Sequence, residues 1–359
     1  MIKTTIQRTH IMKMSALFLV GIFSFLAGCA PVSLETPFAS LNTSDRYGSI
    51  EVEAGSADKP VTMRVFYAQP RQMRPDTPVV FVMHGGRRDA NIYRDIWGRY
   101  ATQYDVLIVS PEVPEKEFPT GWGYQTGNWV TRDSSSLDAS KGQRIPPQQS
   151  SFAAVERVFD QIRQEFGLEA ERYDIYGHGG GAQFVHRMVM LWPDARIRTA
   201  IAANAGNYTF PDYSLPLRYG LKNTGIDDES LKRSYAHRLV IMLGTDDNDP
   251  HHRILNRTAV AMAQGPHRLA RGKSFYAVSK AKAEEIGAEF NWEVETVYGV
   301  GHNARGMAPS GARLLLSGAR ETSLFSNSGA RRDAAGAEDE SGESKTPFRG
   351  ADDDEDYPF

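Results

Sequence analysis

A chain of 359 residues, 41% hydrophobic and 24% charged, can bury a large core, and its length favours one α/β domain of roughly 250 to 300 residues over two small ones. The formal net charge of -3 excludes a global field that would recruit nucleic acid or an anionic membrane. That charge is uneven, because residues 331–359 hold ten acids and four bases, a net of -6, leaving +3 on the rest.

Lys3, Arg8 and Lys13 precede an apolar run, Ala16 to Leu26, which is too short to cross a bilayer as a stable helix but has the length of a signal-peptide core. The run ends in Leu26-Ala27-Gly28-Cys29, which resembles a bacterial lipobox. Cys29 is the only cysteine, so it has no partner for a disulfide or a metal site. The resemblance implies removal of residues 1–28, a diacylglycerol on Cys29 and, with Ala30 rather than aspartate next, delivery to the outer membrane. Buried methylenes contribute about 0.8 kcal/mol each, so several acyl chains anchor firmly. Residues 29–47 read as a Ser-, Thr- and Pro-containing tether.

The body, residues 48–320, opens with two β-branched segments, Ser49–Val52 and Val61–Tyr67, expected as an antiparallel pair. Val79–Met83 and Asp105–Pro111 are continuous apolar runs of strand length, as in a sheet covered on both faces. Helices are expected at Asn91–Tyr100 and at Gln149–Phe166, the latter with Phe152, Val155, Val158, Phe159 and Ile162 on one stripe. A strand ending at Tyr176, a glycine cluster and a helix follow, then the strand Thr199–Ala203 and an irregular cap, Asn204–Ala236. Further strands at Leu239–Leu243 and Trp292–Val297 and helices at Ser274–Ile286 and Ser310–Leu316 complete the pattern. Alternating strands and helices imply a mostly parallel sheet with helices on both faces. Residues 321–359, ending in Asp352-Asp353-Asp354-Glu355-Asp356, read as a disordered acidic tail.

The chemistry concentrates where strands end. Tyr176-Gly177-His178-Gly179-Gly180-Gly181 has the spacing of G-x-S-x-G, the turn that exposes a nucleophilic serine, with Gly179 in the serine position. The strand ending at Leu243 leads into Gly244-Thr245-Asp246-Asp247, and the strand ending at Val297 leads into Gly301-His302. The chain order is elbow, acid, histidine, which fits a triad with Asp247 orienting His302, and with Asp246 as the neighbouring rival. Backbone N–H groups at Gly86 (or Arg87) and Gly180 are placed to form an oxyanion hole. His178 reads as structural.

Met83-His84-Gly85-Gly86-Arg87-Arg88-Asp89-Ala90, the elbow, Ala182–Arg187, Ala261–Arg268 and Gly299–His302 together resemble α/β-hydrolases related to polyhydroxybutyrate depolymerases and feruloyl esterases. The resemblance implies the α/β-hydrolase fold and a carboxylic-ester hydrolase site, with Ser-Ala in relatives where this chain has Gly179-Gly180.

No cofactor is called for. Asp246, Asp247, Asp249, His251 and His252 could hold a hard cation, but the EF-hand spacing is missing and no metal is expected. Trp122, Tyr124, Tyr208, Phe210 and Tyr213 either line a pocket or pack plainly, and Arg87 and Arg88 either meet a carboxylate or stay solvated. Three functions fit: a hydrolase-fold lipoprotein impaired at Gly179 that keeps a pocket for a small ester or acyl ligand, an esterase using water activated by His302, and a scaffold without catalysis. Replacing Cys29 by alanine should leave the protein unlipidated and move it from the membrane to the soluble fraction; a variant that still sediments with membranes refutes the lipobox.

Overall fold

The computed structural model describes residues 46–131 and 142–326. The signal peptide, Cys29, almost all of the tether and the tail beyond residue 326 lie outside the described residues.

The sheet has eight strands: β1 (Tyr47–Glu53), β2 (Thr62–Ala68), β3 (Val79–Met83), β4 (Leu107–Pro111), β5 (Tyr173–His178), β6 (Ile197–Ala203), β7 (Arg238–Gly244) and β8 (Trp292–Val297), in the order β1-β2-β4-β3-β5-β6-β7-β8. The first two pair as expected, antiparallel, with Ile50 opposite Val65, and β2 meets β4 antiparallel. From β4 through β8 every pairing is parallel. All five residues of β3 and all six of β5 are buried, because helices cover both faces.

The helices are α1 (Ala90–Tyr104), α2 (Thr120–Gln125), α3 (Ser151–Phe166), α4 (Gly180–Leu191), α5 (Asp228–Ala236), α6 (Ala259–Gln264), α7 (Arg268–Ile286) and α8 (Ala304–Ser326). The period-two alternation of the strands divides the core. Val80, Val82, Tyr176, Ile201, Val240 and Met242 point to Trp97 of α1 and to Met307 and Leu316 of α8. Phe81, Met83, Ile175, Ala202 and Ile241 point to the other face, against Phe159 of α3, Met188 of α4, Leu231 of α5 and Phe275 of α7.

Several expected boundaries move for identifiable reasons. The segment Asp105–Pro111 begins as a strand only at Leu107, because α1 runs on to Tyr104 and Asp105 closes it in a left-handed conformation, φ 53°. The last nine residues of the expected cap form α5, capped by the Asp227 side chain accepting the Ser230 N–H, with Leu231 and Tyr235 buried. Helix α2 is hidden by two glycines, one of which is obligatory: a Cβ on Gly123 would lie 2.4 Å from the Phe118 carbonyl carbon. Helix α7 begins at Arg268, six residues before the apolar periodicity does, since Arg268 and Arg271 are buried charges that break a hydrophobic pattern. The closing helix α8 starts at Ala304 and passes the expected domain end at 320.

Where α4 meets β3 the backbones nearly touch. A Cβ on Gly181 would be 2.4 Å from the Met83 carbonyl oxygen, whereas Gly167, at φ 63°, closes α3 with nothing within 4 Å. Gly181→Ala should therefore cost about 3 kcal/mol as an overpacked backbone contact, and Gly167→Ala about 1 kcal/mol as backbone strain alone; urea unfolding of both variants measures the difference.

Candidate active site

One residue makes the whole turn between β5 and α4. Gly179 sits at φ 55° and ψ -109°, a combination that an L side chain enters only with strain. Its N–H donates to the Ala203 carbonyl at 3.0 Å, and its carbonyl accepts from the Gln183 N–H at 3.1 Å, so the turn is fixed on both sides. A Cβ on Gly177 would meet the Gly181 backbone at 2.3 Å. The outer glycines thus let the chain reverse, and the central one adopts the dihedrals of the reversal.

Gly180 rests against the turn that follows β3, where a Cβ would be 3.0 Å from the Gly86 nitrogen and 3.3 Å from Gln125 Nε2. Gly86 itself faces open space, with nothing within 4 Å of an added Cβ. The N–H groups of Gly86 and Gly180 have no hydrogen-bond partner among the described residues. The β3 turn is braced from below. His84 is fully buried; its Nε2 accepts the Val113 N–H at 3.2 Å, which leaves the proton on Nδ1 to donate to the Gly85 carbonyl at 2.8 Å. Burial, reinforced by the Arg88 charge, lowers its pKa to about 3 and keeps the ring neutral. Tyr124 stacks on that ring and donates its hydroxyl to the His84 carbonyl at 2.6 Å.

The acid and the histidine meet as the chain order predicts. His302, past the end of β8, donates from Nδ1 to Oδ2 of Asp247, past the end of β7, at 2.8 Å, with both side chains at least 95% shielded from solvent. Burial opposes ionisation of Asp247, but the His302 hydrogen bond and the charges of His302, Arg268 and His178 outweigh it and hold its pKa at about 2. The rival Asp246 is exposed and bonded to Thr245.

Sequence reasoning did not single out Arg268 as a site residue. The first residue of α7, it is 2% exposed and donates from Nη1 to Oδ1 of Asp247 at 3.1 Å, so each carboxylate oxygen has its own cationic or N–H partner. Its Nη2 lies 3.5 Å from His252 Nδ1, and the His252 ring stands edge-on to His302 at 5.7 Å. His178 is buried with its ring 4.6 Å from that of His302. The only sequence signal for Arg268 is an arginine at a helix start following Gly265-Pro266-His267, where a capping residue is His267, whose Nδ1 accepts the Ala270 N–H.

Other expectations divide. Arg88 neither faces a ligand nor stays solvated: it is buried, donating to the carbonyls of Val113, Phe118 and Thr120 beneath the β3 turn, while Arg87 is exposed. Tyr124 and Tyr208 are fully buried packing residues. Trp122 is half-buried and donates to the Val130 carbonyl, Phe210 packs near Phe275, and Tyr213 is exposed and bonded to Asp228. Asp249 accepts the His251 N–H, and among the described residues no three His, Cys, Asp or Glu side chains converge as metal ligands. Arg187, fully buried in α4, donates to Gln125, Gln183, Thr209, Asn207 and Arg218 and so fastens α2 and the β6–α5 loop to the elbow helix. No carboxylate is among these acceptors, and burial pushes its pKa well below the ordinary value.

Comparison with solved structures decides the family. A poly(aspartic acid) hydrolase of Sphingomonas sp. KT-1 is 39% identical, with a TM-score of 0.69 over 75% of this chain and 97% of that one. The chain belongs to the α/β-hydrolases. A poly(3-hydroxybutyrate) depolymerase of Bordetella parapertussis is 30% identical, with a TM-score of 0.68 over 77% of this chain and 96% of that one. No protein-family profile and no curated protein matches the chain. Both relatives are hydrolases, one named for poly(aspartic acid) and the other for poly(3-hydroxybutyrate).

The electrostatics of Asp247 yield a prediction. Its folded pKa, about 2, lies below the unfolded value of about 3.9, so its ionised form contributes about 2 kcal/mol of stability that is present above pH ~4 and lost as the pH falls towards 2. Asp247→Asn should flatten that part of the acid-unfolding curve and, by stranding the buried Arg268 charge, cost about 3 to 5 kcal/mol at pH 7; urea titrations at pH 7 and between pH 4 and 2 measure both.

Proposed function

We propose that this α/β-hydrolase is a lipid-anchored, outer-membrane protein that binds ester or acyl ligands and has lost acyl-enzyme chemistry. The observation that carries the reading is Gly179: the elbow dihedrals, which would strain any side chain, and the Asp247–His302 hydrogen bond are found around a residue with no hydroxyl. Acyl transfer through a serine needs an Oγ to attack the carbonyl, a histidine to take its proton, a carboxylate to orient that histidine and N–H donors for the oxyanion. On this reading His302, Asp247, Gly86 and Gly180 fill the last three roles and the first is unfilled. The two relatives act on poly(aspartic acid) and poly(3-hydroxybutyrate), chains with repeating backbone carbonyl linkages. An oligomer of that kind, polyester or polyamide, is the ligand class we favour.

A second reading has its own support. The hydrogen bond from His302 to an ionised Asp247 is what a base needs to activate a water molecule directly. Turnover of short and medium-chain acyl esters by the wild-type protein that disappears in His302→Ala supports it; no turnover by either excludes it.

Gly179→Ser tests the first reading. The serine should confer ester hydrolysis that is abolished by a second change, His302→Ala, and should destabilise the domain by about 1 to 3 kcal/mol because a side chain is forced into the φ 55° turn. A folded Gly179→Ser protein inactive on every ester and amide oligomer tested refutes a competent site around Gly179.

A further inference from the structure

At the end of the sheet opposite Gly179 and His302 lies a cleft of about 480 Å³, lined by Arg172, Arg198, His237, Arg238, Trp292 and Glu293 among others. These residues stand at or just before the starts of β5, β6, β7 and β8, four adjacent parallel strands. A guanidinium has five N–H donors, and the domain uses few of those here. Arg172 gives one to the Ile197 carbonyl, Arg238 gives Nε to Glu293, and Arg198 gives two to the buried carboxylate of Asp174. With Asp174 and Glu293 both counted, the three arginines leave the cleft a net positive charge and several donors facing solvent.

The chain carries a matching anion. Helix α8 leaves the C-terminal end of β8, and Gly311 lies against Tyr176 of β5 on the way back. Its 23 residues span about 35 Å, more than the roughly 20 Å of a six-residue strand, so Ser326 is delivered towards the end of the sheet that holds the cleft. Beyond it 33 residues remain, enough to reach up to ~110 Å when extended, and they include five consecutive acids, Asp352–Asp356. We propose that this acidic segment docks on the arginine cleft of its own domain. Each exposed ion pair is weak alone, but a tether holds the segment at about millimolar effective concentration, and carboxylates fit the guanidinium fork in pairs. The proposal is independent of the reading given to Gly179.

The test uses the full chain and the rate at which phenylglyoxal modifies individual arginines, read by peptide mass spectrometry. At low salt Arg172 and Arg238 should react severalfold more slowly than in a variant carrying D352N, D353N, D354N, E355Q and D356N. Salt at 1 M, where the screening length is about 3 Å, should remove the protection in the wild type, and Arg64, exposed on β2 and paired with Glu51, should react alike in the two chains at each salt concentration. A peptide of residues 345–359 added to the neutralised variant should restore protection. Equal rates in the two chains overturn the proposal. So does restoration by inorganic phosphate at the same concentration of negative charge, which makes the cleft a general anion site.

Discussion

The approach of α4 to the end of β3 is the constraint on which the site depends. Two glycines make it possible, since a Cβ at Gly177 or Gly181 would fall within 2.4 Å of backbone atoms. The chain can then reverse over the single residue Gly179, and the first N–H groups of α4 arrive beside the Gly86 turn rather than a side chain's width away. Helix N-termini present unsatisfied donors. Here one of those donors is brought next to a second that comes from a different strand. The bracing beneath, by neutral His84, Tyr124 and Arg88, ties the second turn to the carbonyls and N–H groups around it.

A second constraint is electrostatic. Burying Asp247 with His302 alone would leave one carboxylate oxygen without a strong partner, and desolvation would push its pKa upward. Arg268 occupies that oxygen and adds its charge to the larger effect of the His302 hydrogen bond and charge, and together they keep the carboxylate ionised although 97% shielded. The arrangement has a cost in specificity of construction: an arginine at the start of α7 must be delivered to the end of β7, and the backbone bond from Leu269 N–H to the Asp247 carbonyl ties the two together. Arg271, one turn on, is also fully buried but donates only to carbonyls and a thioether, and burial lowers its pKa to about 10. α7 thus holds two buried guanidiniums of opposite kinds, one paired to a charge and one to dipoles.

Much of this was legible in the sequence because the relevant physics is local. Val79–Met83 declares a two-sided strand by being uniformly apolar, and the order of elbow, Asp247 and His302 follows from which residues come next after strands. What stayed hidden is of two kinds. Buried arginines invert the binary pattern, so Arg268 and Arg271 look like solvated positions and conceal the first turns of α7. Glycine-rich helices such as α2 lack intrinsic propensity and exist because tertiary contact requires the glycine. The sequence already favours Asp247 over its neighbour Asp246, and in the fold the Asp247 side chain meets His302 while that of Asp246 meets Thr245.

The glycine at 179 also changes the stability of the domain. A side chain at φ 55° and ψ -109° costs about 1 to 3 kcal/mol, which an enzyme accepts because the strain aims its nucleophile. Glycine adopts the same dihedrals without a Cβ clash, so the turn survives while the strain is relieved. The backbone bonds to Ala203 and from Gln183 then hold the turn with nothing working against them. This separates the two uses of the elbow. Its backbone geometry positions α4 and the Gly180 N–H, and that use is independent of the side chain. Only the attack on a carbonyl requires the hydroxyl. On the reading proposed for Gly179, a chain without acyl-enzyme chemistry loses nothing structural by carrying glycine here, because the backbone bonds to Ala203 and from Gln183 hold the turn without a side chain.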